Sequence, residues 1–355
     1  MRIAVRADAS AQIGIGHIMR CLTLAQALSR YGQAEVVFVC NQDIPDAVGD
    51  RIGQEGFRLI KTPWNAVFFD WSRDVEFFIA FIRECKVDWI IVDHYGVDRQ
   101  WETAVRPYTK KIAVIDDLAN RLHDCDVLLD QNLSREMNRR YHLLVPPSCT
   151  LLLGPSHVIL REEFYQLRDK VKPKNHVRNV LVNFGGSDPT NEICKVLHAI
   201  RDQSLFPGWQ FHIVAGPANE NQKEIQMHCE QLSNATYYPS IDAKRLPAFM
   251  LDMDLAIGAG GISLWERCFM AIPSLVISIA DNQVEAATEA QRRGIIWYLG
   301  QSVDVTSDNI ANVLHKLFQN RTEISHKSRL AYRMMESARS ARLPSLASYI
   351  LQYSG

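Results

Sequence analysis

Three times in this chain a short apolar run ends in a glycine-rich turn and passes into a helical pattern. The first copy is Ile3-Ala4-Val5-Arg6-Ala7-Asp8, leading to Gly14-Ile15-Gly16-His17-Ile18-Met19-Arg20. The second is Val180-Leu181-Val182-Asn183-Phe184, leading to Gly185-Gly186-Ser187-Asp188. The third is Leu255-Ala256-Ile257, leading to Gly258-Ala259-Gly260-Gly261-Ile262-Ser263. Such a turn lets backbone N–H groups approach an anion, and the following helix favours negative charge at its start. Copies in both halves predict two nucleotide-fold domains facing a phosphate-bearing ligand between them.

The pattern between the copies supports this. Runs such as Trp89-Ile90-Ile91-Val92 and Ile112-Ala113-Val114-Ile115 are continuously apolar, as in parallel strands buried on both faces. Strands are expected at residues 2–6, 35–40, 57–61, 88–93, 111–115 and 126–130, with helical patterns at about 17–30 and 74–85. Alternation of this kind requires a parallel sheet with right-handed crossovers. A charged helix begins at Arg161-Glu162-Glu163-Phe164, and Lys170-Val171-Lys172-Pro173-Lys174-Asn175-His176 reads as a polar linker. Strands are expected again at 209–215, 235–238, 254–257, 274–279 and 295–298, followed by an amphipathic helical tail from about 306. The fold class is α/β, with two Rossmann-like domains whose parallel sheets face a cleft. The expected divisions are 1–155, a linker at 156–177, 178–320, and C-terminal helices at 321–355 packing back toward the first domain.

A chain of 355 residues is long enough for two cores, and 47% hydrophobic with 22% charged residues is a globular composition. The formal net charge of −1 gives no electrostatic reason to expect nucleic acid or an anionic membrane as partner. The start reads as a strand carrying charges, not a signal peptide, and no run of about 18 apolar residues occurs. The eight cysteines, at 21, 40, 85, 125, 149, 194, 229 and 268, form no CxxC pair or zinc spacing. They read as reduced core residues of a cytoplasmic protein. No metal and no cofactor are expected, since no Asp-x-Asp motif or His-x-x-x-His cluster is present. A monomer or weak oligomer is expected.

The turn Gly14-Ile15-Gly16-His17-Ile18-Met19 is not a dinucleotide fingerprint, because Met19 stands where that motif needs a third small residue. Nor is it a P-loop. It places a histidine at a helix start beyond the carboxyl end of the first strand, the edge at which open α/β sheets bind ligands. An imidazole accepts a proton near neutral pH, so His17 is a candidate general base. Asp8, at the end of the same strand, could reach and orient it, and another first-domain carboxylate is the alternative. The alternative is a cap or a polar core residue. Arg20 is open between phosphate contact and a salt bridge.

In Gly258-Ala259-Gly260-Gly261-Ile262-Ser263-Leu264-Trp265-Glu266, Ser263 and Glu266 have the spacing of a capping box. The functional reading lays a diphosphate over the amides of Gly260, Gly261, Ile262 and Ser263. Glu266 then accepts from the two ribose hydroxyls, since a carboxylate offers two acceptor oxygens. Gly185, Gly186 and Ser187 are candidates for backbone contact with the same ligand, as are Gly14 and Gly16. Asp93-His94-Tyr95, Asp116-Asp117 and Asp130-Gln131-Asn132 follow strands at the ligand edge and suit sugar hydroxyls, although Asp and Asn are common in such turns anyway. Of these, Asp93, His94, Tyr95 and Asn132, together with Asn282 and Gln283, are the expected sugar contacts.

The succession of glycine turn, Glu266, Pro273, apolar strand and Asp281-Asn282-Gln283 resembles the nucleotide half of the glycosyltransferase-B fold, as in MurG-type N-acetylglucosaminyltransferases. The chain as a whole resembles a narrower family. Arg6-Ala7-Asp8-Ala9-Ser10, the stretch from Ile13 through His17 to Ala25, and Asn183-Phe184-Gly185-Gly186-Ser187-Asp188-Pro189-Thr190-Asn191 are similar to the UDP-2,4-diacetamido-2,4,6-trideoxy-β-L-altropyranose hydrolases of pseudaminic acid biosynthesis. The likeness covers about residues 1 to 300 and departs at Ala7, where threonine is expected. It implies a UDP-sugar substrate, water attack at the anomeric carbon with inversion, and His17 as base. The rivals are a UDP-sugar-dependent transferase on the same fold and a nucleotide-sugar-binding protein without chemistry.

Overall fold

The computed structural model describes residues 1–10 and 13–353 and divides into two compact units. Unit 1 comprises Met1–Asn132, Glu136–Glu162 and the residues from Leu343 onward. Its strands are β1 (Arg2–Ala7), β2 (Glu35–Cys40), β3 (Arg58–Lys61), β4 (Trp89–Asp93), β5 (Lys111–Ile115), β6 (Val127–Asp130) and β7 (Thr150–Leu153). They form one parallel sheet in the order β3-β2-β1-β4-β5-β6-β7. The order reverses direction between β1 and β4, so the connections leaving these two strands diverge to opposite faces. That divergence opens a crevice beyond their carboxyl ends.

Both faces of this sheet are covered. On one, Ile18, Cys21, Leu22, Ala25 and Leu28 form the apolar stripe of helix Gly16–Gly32 and join Ile3, Val5 and Phe38 in a buried cluster. The C-terminal helix Ser345–Gln352 completes that cluster with Leu346, Ala347 and Ile350. On the other face Phe78, Ile82, Trp101 and Val105 pack against Ala4, Ile90 and Val92.

Unit 2 comprises Leu133–Arg135 and Glu163–Arg342. Its strands are β8 (Asn179–Asn183), β9 (Gln210–Val214), β10 (Ala235–Tyr238), β11 (Leu255–Ala259), β12 (Ser274–Ser278) and β13 (Trp297–Gln301). Their order, β10-β9-β8-β11-β12-β13, is again wholly parallel and reverses between β8 and β11. The second and third glycine turns therefore leave the two strands that flank this unit's own switch point.

The expected strands are present with ends shifted by at most three residues, and β7 was not foreseen: Thr150–Leu153 is a short half-buried edge strand whose apolar run is only Leu151-Leu152-Leu153. The expected linker at 156–177 is not one. Residues from Glu163 belong to unit 2, where buried Phe164 and Tyr165 lie edge-on to Phe269 at 6.1 and 5.8 Å. Further along, the Lys174 amide donates to Ser328 Oγ at 2.7 Å. The tail also divides differently. Helix Arg321–Met334 stays with unit 2, and only residues from Leu343 join unit 1. The eight cysteines are free thiols; Cys85 and Cys149 are half-buried and the others buried. No helix among the described residues is long and apolar enough to cross a membrane.

Close backbone approach explains one glycine outside the expected turns. A Cβ on Gly216 would fall inside the Gly186 carbonyl, whereas a Cβ on Gly186 meets nothing within 4 Å. Gly216→Ala is therefore expected to destabilise unit 2 by about 1–3 kcal/mol, the usual cost of forced overpacking. Gly186→Ala should stay within about 1 kcal/mol of the parent. Urea unfolding of the two variants checks the pair.

Candidate active site

The crevice between β1 and β4 gathers charged side chains from four strands. β1 and β4 run in register with Ala7 opposite Asp93. Helix Gly16–Gly32 leaves the turn after β1, and His17 and Arg20, one helical turn apart, share the face that meets Asp93. His17 Nδ1 lies 2.6 Å from Asp93 Oδ1. Arg20 grips the same carboxylate as a fork, Nε to Oδ2 at 2.6 Å and Nη2 to Oδ1 at 2.6 Å. Asp93 is fully buried. Burial pushes its carboxyl up, yet the neighbouring Arg20 and His17 hold it well below the usual carboxylate range.

An ionised carboxylate only accepts hydrogen bonds, so the proton in the 2.6 Å contact belongs to His17 Nδ1. The lone pair of the neutral ring is then on Nε2. Nε2 has no hydrogen-bond partner among the described residues, and His17 keeps 9% of its surface exposed, enough for a solvent molecule to reach the ring edge. The ring is further confined by Tyr95, edge-on at 4.6 Å. The Tyr95 hydroxyl donates to Asp117 Oδ2 at 3.1 Å. Asp117 also receives Arg20 Nη1 at 3.1 Å and the Asn132 side-chain amide at 2.9 Å. One arginine thus bridges the carboxylates that end β4 and follow β5.

This arrangement corrects the pairing expected for Asp8. Asp8 does not orient His17. It is bound to the guanidinium of fully buried Arg6, takes the Asn41 amide at 2.9 Å, and accepts from His94 Nε2 at 2.9 Å. Burial raises the Asp8 carboxyl, but Arg6 and His94 hold it far below its ordinary range. Arg6 is shared with Asp74, which also receives Trp101 Nε1 at 2.8 Å. Side chains alternate along a strand, so Arg6 and Asp8 share the face of the sheet opposite the helix that carries His17. Asp93 and His94, expected at the sugar, are both engaged within unit 1. Asp93 is saturated by His17 and Arg20. His94 spends both ring nitrogens, Nε2 on Asp8 and Nδ1 on the Gly96 amide at 3.0 Å, and stacks against Phe69 at 4.3 Å.

Asp116 is buried against Arg121 and Tyr141, while Asp130 lies under Tyr141 and Arg140. Burial pushes the Asp130 carboxyl up to about 7; the Asn132 amide and Arg140 pull it down without prevailing. Gly14 and Gly16 stand in an exposed turn. Gly14 takes φ +80° and donates its amide to the Ser10 carbonyl at 2.8 Å.

The unit 2 candidates also come together. Gly185, at φ +87°, and exposed Gly186 and Ser187 follow β8. Asp188 turns inward and caps helix Glu192–Ala199 through the amides of Glu192 and Ile193, at 2.9 and 3.0 Å. Beyond β11 the expected capping box is not formed. Helix Ile262–Phe269 starts from Gly261, whose φ of +67° suits glycine, so Ser263 lies inside the first turn and its Oγ donates to the Gly260 carbonyl at 3.1 Å. Glu266 is half-buried one turn further. Gln283, expected at the sugar, braces the turn: its Oε1 accepts the Gly260 and Ile279 amides, each at 3.2 Å. Asn282 is exposed beside it. The sequence reading missed Arg267, which lies buried behind this turn, and Asp74. A basic residue directly after Glu266 and an acidic one in the first turn of helix Trp71–Cys85 were the available signals. No group of three or more metal-ligating side chains occurs among the described residues.

No family model matches the chain. It is 28% identical over 286 residues to an uncharacterized protein of Methanocaldococcus jannaschii, spanning 78% of this chain and 55% of that longer one. It is 26% identical over 301 residues to the spore coat polysaccharide biosynthesis protein SpsG of Bacillus subtilis, 84% of each. It is 27% identical over 295 residues to the UDP-2,4-diacetamido-2,4,6-trideoxy-β-L-altropyranose hydrolase of Campylobacter jejuni, 83% of this chain and 97% of that enzyme. Among solved structures, Acinetobacter baumannii MurG superposes with a TM-score of 0.66 at 13% identity, covering 99% and 98% of the two chains. The UDP-GlcNAc 2-epimerase of Neisseria meningitidis superposes at 0.59 with 12% identity, covering 99% and 100%. These superpositions establish the fold, two Rossmann-like parallel-sheet units of the glycosyltransferase-B type.

Asp130 supplies a pH test of the unit 1 cluster. Its folded pKa of about 7 lies above the ordinary 3.8, so the unfolded chain loses this proton first. The stability contributed by the group is complete below about pH 4 and is lost as pH rises to about 7. Asp130→Asn abolishes this dependence. The unfolding free energy of the variant minus that of the parent should therefore climb by a few kcal/mol between those pH values. Chemical denaturation across the range measures it, and a flat difference would contradict the assignment.

Proposed function

We propose that the protein hydrolyses a UDP-sugar, with water attacking the anomeric carbon and UDP leaving. The observation that carries this reading is the Asp93–His17 contact, which engages Nδ1 and leaves Nε2 without a hydrogen-bond partner among the described residues. In the step, a bond forms between the water oxygen and the anomeric carbon while the bond from that carbon to the phosphate oxygen breaks. The electron pair leaves with UDP. The water proton passes to Nε2, and the resulting imidazolium is stabilised by ionised Asp93, itself held in place by the Arg20 fork. UDP departs as a stabilised anion and needs little protonation.

The nucleotide is assigned to the glycine turns of unit 2, with first-turn amides of helix Ile262–Phe269 toward the diphosphate and Glu266 toward the ribose. A further support comes from one relative. The Campylobacter jejuni protein, similar over most of both chains, is a hydrolase of UDP-2,4-diacetamido-2,4,6-trideoxy-β-L-altropyranose, which makes that sugar the first substrate to test. The reaction would then belong to pseudaminic acid biosynthesis, upstream of flagellin glycosylation, in the cytoplasm. Asp8 is assigned a supporting place in the Arg6–His94 network, not a role at the water.

Incubation with this UDP-sugar alone, in oxygen-18 water, is expected to release UDP and place the label in the free sugar. Label in the phosphate would overturn attack at carbon, and release only with an added acceptor would make the protein a transferase. His17→Ala should lower kcat by about 10²–10⁴-fold with UDP affinity retained. Asp93→Asn, which no longer selects the Nδ1–H tautomer, should lower kcat on the order of 10²-fold with KM little changed.

A further inference from the structure

We infer that Arg267 is a positioning residue for the diphosphate, a buried positive charge set behind the third glycine turn whose counter-charge is the nucleotide itself. The inference rests on the UDP assignment above. Arg267 is 2% exposed. Its Nη2 donates to the Ala259 carbonyl at 2.5 Å, its Nε to Ser274 Oγ at 3.1 Å, and its Nη1 to Ser263 Oγ at 3.3 Å. Every one of these partners is neutral. Two other buried arginines behave differently: Arg6 is paired with Asp8 and Asp74, and Arg20 with Asp93 and Asp117, whereas Arg339, 6% exposed, has its charge over the Tyr332 ring, 3.6 Å from the centroid.

A buried charge without a partner ion is strongly disfavoured, and burial indeed brings the Arg267 guanidinium down to about 10. Glu266, next in the chain, opposes that shift without forming an ion pair with Arg267. At neutral pH the group remains a cation. Its three donating nitrogens meet one carbonyl and two hydroxyls, all neutral, so these bonds leave the positive charge itself uncompensated.

The charge is also placed where an anion is assigned. Ser263 Oγ accepts from Arg267 Nη1 and donates its own O–H to the Gly260 carbonyl, tying the guanidinium to the turn. A Cβ on Gly258 would lie 2.9 Å from Arg267 Nη1, so this glycine leaves room for the guanidinium at the end of β11. The amides of a first helical turn have no intrahelical acceptors, and Arg267 lies behind them in helix Ile262–Phe269. Positive potential from the side chain and from the helix start therefore adds at one place.

The test compares UDP with uridine by calorimetry for the parent, Arg267→Gln and Arg267→Lys, with circular dichroism confirming the fold. The parent should bind UDP more tightly than uridine. Arg267→Gln should weaken UDP at least tenfold and leave uridine within about twofold. Arg267→Lys should recover most of the UDP affinity. A folded Arg267→Gln that binds UDP like the parent, or loses UDP and uridine equally, overturns the inference. If the glutamine variant does not fold, Arg267→Lys decides: UDP lost with uridine kept overturns a role through charge, and UDP kept within about threefold supports it. A parent protein that binds neither nucleotide overturns the UDP assignment, a failure distinct from that of Arg267 alone.

Discussion

One buried carboxylate, Asp93, organises the unit 1 site. It sits where the sheet order reverses, directly beside β1, and two donors from the helix that follows β1 converge on it. Removing a carboxylate from water is costly, and only the full set of charge-assisted bonds offsets that cost. The Arg20 fork supplies most of them, and its Nη1 and Nη2 also reach Asp117. His17 is then fixed in one tautomer and one orientation by a partner that is itself immobile. The chemical capability of the imidazole follows from this constraint and not from its place in a glycine-rich motif.

The two units solve the same geometric problem with different materials. Unit 1 fills its switch point with ionised side chains that compensate one another. Unit 2 fills its switch point with glycine turns and a lone guanidinium. The glycines there are not equivalent. Gly258 makes room for Arg267 and for the Asn183 carbonyl, and Gly260 for Gln283. Gly185 and Gly186, by contrast, face open space. Gly185 takes φ +87°, a conformation that suits glycine, so of this pair only Gly186 is explained by neither backbone nor neighbours.

Much of this was legible in the chain. Continuous apolar runs mark strands covered on both faces, and Trp89–Asp93 and Lys111–Ile115 lie where their runs place them. His17 stands out because Gly14 and Gly16, just before it, set it at a helix start. Thr150–Leu153 was not legible, because a short edge strand lacks the double-sided burial that makes the others conspicuous. The expectation for Asp8 failed for a related reason. Proximity in sequence made it the natural partner of His17, but alternation along β1 turns it to the opposite face, toward Arg6 and His94.

By itself the sequence determined the alternation of strand and helix, the parallel character of both sheets and the three glycine turns at strand ends. All of these depend on periodicity within a dozen residues. Tertiary structure alone decided which carboxylate meets which base. That choice rests on β1 and β4 lying side by side, with Ala7 opposite Asp93 across a long stretch of chain. It likewise decided that Arg6 and Arg20 are neutralised while Arg267 is not. Charge compensation depends on neighbours in space, and local sequence pattern carries no record of them.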